Sequence, residues 1–100
     1  MMYLTNYKEF GGDTNKSIIE CFNDSKYESQ EEVFNFMKNS GEKISCCGEC
    51  TDIITGENIG SRVTKKSGDF VWSSDLAYYV EKYNYKPPQE FINHILNKAV

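Results

Sequence analysis

The hydrophobic pattern changes period three times along the chain, and each change marks an element. Met2, Leu4 and Tyr7 are spaced for a short N-terminal strand or arm that Gly11-Gly12 would end. Ile18, Ile19 and Phe22 fall on one face of a short helix, with Asp13 or Thr14 as its expected cap. Val33, Phe34, Phe36 and Met37 give a helix from about Ser29 to Ser40. Ser29 and Glu32 have capping-box spacing at its start, and Gly41 stands just beyond its end. From Lys43 to Lys66 no helical period fits. Ile44–Ile54 and Asn58–Lys65 read as two strands of a hairpin turning at Thr55-Gly56-Glu57-Asn58. Phe70-Val71-Trp72 is the third strand, reached through Ser67-Gly68-Asp69. Three sequential strands with short links make an antiparallel meander.

Helical spacing returns at Leu76, Tyr79, Val80 and Tyr83, which face a core, whereas Tyr78, Glu81 and Lys82 point elsewhere. Ser73 or Ser74 is the expected cap, with Asp75 in the first turn, where a carboxylate suits the positive end of the helix dipole. Pro87-Pro88 ends that helix and starts another, whose apolar face is Phe91, Ile92, Ile95, Leu96 and Ala99. The pattern predicts one α+β domain over residues 1–100, an antiparallel three- to four-stranded meander packed against N- and C-terminal helices.

Composition narrows the function. The chain is 39% hydrophobic and 26% charged, an ordinary globular balance. A net charge of −4 argues against nucleic acid as a partner, because phosphate binding needs a basic face. No run is apolar and long enough to span a membrane, and the N-terminus lacks a signal-peptide pattern. A cytoplasmic location is therefore expected, with reduced thiols at Cys21, Cys46, Cys47 and Cys50.

Three kinds of chemistry are open to these residues. Cys47-x-x-Cys50 has the spacing of a redox pair or half a zinc site, but in a regular strand the two side chains oppose each other unless a bulge intervenes. Only Cys21 and His94 remain to complete a four-ligand zinc site. His94 lies among Asn93, Asn97 and Lys98 and reads as a solvated helix residue. No catalytic residue, metal or cofactor is expected. Glu49, Asp52, Glu57, Asp69 and Asp75 instead suggest an acidic protein-docking surface, with Trp72 and Tyr78 as aromatic anchors.

Residues Gly68-Asp69-Phe70-Val71-Trp72-Ser73-Ser74-Asp75-Leu76-Ala77-Tyr78-Tyr79-Val80-Glu81-Lys82-Tyr83, followed by Pro88-x-Glu90-Phe91-Ile92, carry a resemblance. So do Ser17-Ile18-Ile19-Glu20-Cys21-Phe22 and Asp52-Ile53-Ile54-Thr55-Gly56-Glu57. Together they resemble small bacterial immunity proteins of polymorphic toxin and contact-dependent growth inhibition systems. Gly68-Asp69 reverses that group's acidic-glycine order, and the Cys46-Cys47 pair is not part of its pattern. The resemblance implies a cytoplasmic antitoxin that binds a cognate toxin domain, basic in charge as nucleases are. The alternatives are a metal-binding or thiol-redox protein using Cys47 and Cys50, and an adaptor with some other protein partner.

Overall fold

The computed structural model describes residues 2–12 and 15–98, with all their side chains except those of Cys47 and Lys98. In chain order the elements are β1 (Met2–Tyr3), a 3-10 turn (Lys8–Phe10), a second 3-10 turn (Ile18–Cys21) and α1 (Gln30–Asn39). There follow β2 (Glu42–Thr51), β3 (Asn58–Ser67), β4 (Phe70–Ser73), α2 (Ser74–Tyr83) and α3 (Gln89–Lys98). The fold is α+β. The sheet order is β1-β4-β3-β2. β2, β3 and β4 form the antiparallel meander, and β1 adds a parallel edge, with Met2 opposite Phe70 and Tyr3 opposite Val71.

Helices from both ends of the chain cover the sheet over one core. Ile18, Val33, Met37, Trp72, Leu76, Tyr79, Val80, Tyr85, Phe91, Ile92 and Ile95 are all buried in it. Phe91 packs its ring at a tilt against those of Trp72 and Phe70, at 5.3 and 5.2 Å between centroids, which ties α3 to β4. Large aromatic side chains supply much of the buried area that a chain of this size can muster.

Several local expectations are corrected. The expected caps Asp13 and Thr14 lie outside the described residues, and Ser17 caps the second 3-10 turn instead. Its hydroxyl accepts from the Ile19 amide, while Glu20 accepts from the Ser17 amide. Ser29 makes no capping hydrogen bond with its side chain. Gln30 does the local work, because its buried carboxamide accepts from the Tyr27 amide and donates to the Val80 carbonyl and to Asn84. Tyr83, expected in the core, is only half-buried. In α3, Leu96 is 39% exposed, and Ala99 lies outside the described residues.

Where β4 turns into α2, the Ser74 hydroxyl replaces the departing strand. It accepts from the Val63 amide and donates to the Ser61 carbonyl, both at 3.0 Å. Ser73 stands at the N-cap position, but its hydroxyl donates to the Asp75 carboxylate rather than accepting from the helix. The hairpin therefore runs on past β4, and α2 packs against its distal half.

Candidate functional site at the hairpin tip

Among the described residues, the densest set of polar contacts lies where that distal half meets α2, and Asp52 is its centre. Asp52 is 1% exposed. One carboxylate oxygen accepts from the amides of Ile54 (2.7 Å) and Thr55 (3.1 Å), folding the turn around the side chain. The other accepts from the hydroxyls of Tyr78 (2.7 Å) and Tyr83 (2.6 Å) on α2. Lys82 brings its ammonium to 3.7 Å from the same oxygen. The backbone of Asp52 closes the loop as well: its amide donates to the Glu57 carbonyl and its carbonyl accepts from the Gly56 amide. Tyr79 adds a further clamp, donating to the Thr51 carbonyl and accepting from the Ile53 amide.

Burial pushes the Asp52 carboxyl up. The hydrogen bonds from Tyr83, Tyr78 and the two turn amides push it further the other way, holding it well below the usual carboxylate range. The Tyr83 hydroxyl, bonded to that carboxylate, partly buried and close to its negative charge, is pushed up to about 12. The site thus holds a fixed anion that accepts from two tyrosine hydroxyls. Its chemistry is to set the shape of a turn. Among the described residues, every buried side-chain nitrogen and oxygen has a hydrogen-bond partner.

The seven residues expected at a docking surface are not brought together. Glu49 and Glu57 are exposed and sit at the distal end of the hairpin. Asp69 is exposed too, but lies beyond the opposite end of β3, about 30 Å away at the usual rise per strand residue. Asp52 is the buried organiser just described, and Tyr78 is half-buried with its hydroxyl turned onto it. Asp75 is 3% exposed, with Arg62 at 4.0 Å. Trp72 cannot serve as an anchor in this fold. It is fully buried, because its indole packs on Phe36 and Phe91 and its N–H donates to the Met37 carbonyl. Sequence reasoning passed over Ile54, which is 53% exposed at the tip. The available signal was an isoleucine directly before Thr55-Gly56, out of register with the strand pattern.

The other candidate groups occupy separate surroundings. His94 is not solvated on a polar face. Its ring lies among Phe36, Phe70 and Phe91, and its Nε2 is 3.0 Å from the Ser67 hydroxyl, because α3 turns that side toward the sheet. Cys21 lies 3.7 Å from the Tyr7 hydroxyl, Cys46 is exposed and Cys50 is buried. The β2 ladder is irregular between Cys46 and Glu49, so the bulge that Cys47-x-x-Cys50 would require is present. The Cys47 side chain is outside the described set. Among the described residues, no three His, Cys, Asp or Glu side chains gather as metal ligands would.

No helix among the described residues is long and apolar enough to cross a membrane. No family model, no curated protein and no solved structure matches the chain.

Proposed function

We propose that this chain is an immunity protein. It acts in the cytoplasm, binds a cognate toxin domain one to one, and neutralises it by occupation rather than by chemistry. The observation that carries this reading is the hairpin. The most elaborate polar cluster among the described residues is spent on holding a turn in shape, and that turn presents exposed side chains at the end of the hairpin. A preorganised surface loop suits recognition, because its ordering cost is met on folding and not on binding. The net charge of −4 favours fast association with a basic partner. The resemblance at Gly68–Tyr83, Ser17–Phe22 and Asp52–Glu57 supports the same role.

Co-expression provides the test. Cells producing the toxin domain encoded immediately upstream should stop growing alone and recover when this chain is made with it. Equal killing with and without the chain removes the proposal.

A further inference from the structure

We infer that the hairpin tip, Ile53 to Glu57, is the docking element, and that it fits a partner presenting an apolar pocket rimmed by lysine or arginine. The inference rests on the binding role proposed above and assigns it a surface.

Two observations choose this surface and this partner. The first is charge. Between Lys43 and Arg62 the chain carries Glu49, Asp52 and Glu57 and no lysine or arginine. Glu49 and Glu57 are exposed. Lys82 reaches this region from α2 with its side chain 44% exposed, but its charge is set against Asp52 at 3.7 Å and over the rings of Tyr78 and Tyr83. The distal hairpin therefore meets solvent with two carboxylates and no cation of its own. A partner with a basic rim is the complement, and like-charged partners are repelled. The second observation is shape. Ile54 stands out of the turn with about half its surface open, directly between the two amides that Asp52 holds. An exposed aliphatic side chain on a turn held by hydrogen bonds is the form a buried anchor takes at the centre of an interface. Asp52 is a positioning residue here. It acts by fixing where Ile54 and Glu57 point.

The test measures the affinity of the upstream-encoded toxin domain, prepared as an inactive variant, for four forms of this chain. All three substituted positions are exposed, so folding is preserved and is checked by circular dichroism. Ile54→Ala should weaken binding about tenfold, the size expected for truncating an anchor. Glu57→Lys should weaken it by about tenfold or more, with the loss shrinking as salt is added. Glu31→Lys, the same charge change on α1 away from the hairpin, should stay within about twofold. Full affinity in both Ile54→Ala and Glu57→Lys overturns the inference while leaving the binding role intact. So does an equal loss in Glu31→Lys, which would assign the effect to net charge alone. If the unmodified chain forms no complex, the binding role fails and the inference falls with it.

Discussion

Lys65 and Trp72 face each other across the β3–β4 ladder, and each donates a hydrogen bond to one of two consecutive carbonyls at the end of α1. The Lys65 ammonium reaches the Lys38 carbonyl at 2.6 Å, and the Trp72 indole N–H reaches the Met37 carbonyl at 3.0 Å. The last carbonyls of a helix have no partner within it. Here the sheet supplies two. Burial and the nearby Lys43 lower the Lys65 pKa.

This pairing makes Trp72 a structural residue. Trp72→Phe keeps most of the ring but orphans the Met37 carbonyl, and should cost about 2–3 kcal/mol in urea unfolding. Lys65→Met retains the buried stem and removes one donor, and should cost about 1 kcal/mol. If Trp72→Phe left stability unchanged, the sheet-to-helix cap would have no energetic weight.

Asp52 gives the fold an acid-sensitive element. Its carboxyl is held below the ordinary range in the folded chain, so its contribution is complete above that range and is lost as pH falls through the folded value. Asp52→Asn keeps the volume but loses the charge-assisted bonds, and should cost about 3 kcal/mol near neutral pH. The gap between the two proteins should hold down to about pH 4 and close below it. Paired urea titrations across that interval check the sign. A gap that widens on acidification contradicts the assignment.

Gly41 separates two glycine effects. It has φ +91°, and a Cβ there would lie 2.8 Å from the Trp72 ring. Gly56 has φ +77° with open space around it. Gly56→Ala should therefore cost about 1 kcal/mol for the backbone conformation alone, and Gly41→Ala about 2–3 kcal/mol because the indole must also shift. Thermal denaturation of the two variants measures the difference. Equal losses would mean that the contact with Trp72 carries no cost.

The periodic parts of the chain were legible. Leu76, Tyr79 and Val80 announced the buried face of α2, and Phe91, Ile92 and Ile95 that of α3, because helical spacing depends only on neighbours in sequence. The hairpin was legible from Thr55-Gly56 and the β-branched runs around it. What failed depended on distant partners. Ser29 and Glu32 have capping-box spacing, yet Gln30 took over because Val80 and Asn84 lie within its reach. Asp52 looked like one surface acid among several, and its burial follows from Tyr78 and Tyr83, 26 and 31 residues later. One signal did exist: Tyr78, Tyr79 and Tyr83 crowd one helix, and a buried tyrosine hydroxyl needs an acceptor. Trp72 was misjudged for the opposite reason. A lone tryptophan beside acidic residues fits an interface as readily as a core, and only the position of α1 decides between them.

The buried Asp52 carboxylate holds the hairpin tip in one shape. Amide hydrogen exchange at Ile54 and Thr55 tests it most directly, because both amides donate to that carboxylate. Both should be protected in the native chain. In Asp52→Asn both should exchange at least about tenfold faster, while the amides of α1 lose only what the overall drop in stability explains. Exchange at Ile54 and Thr55 in the native chain as fast as in an unfolded peptide would contradict the account.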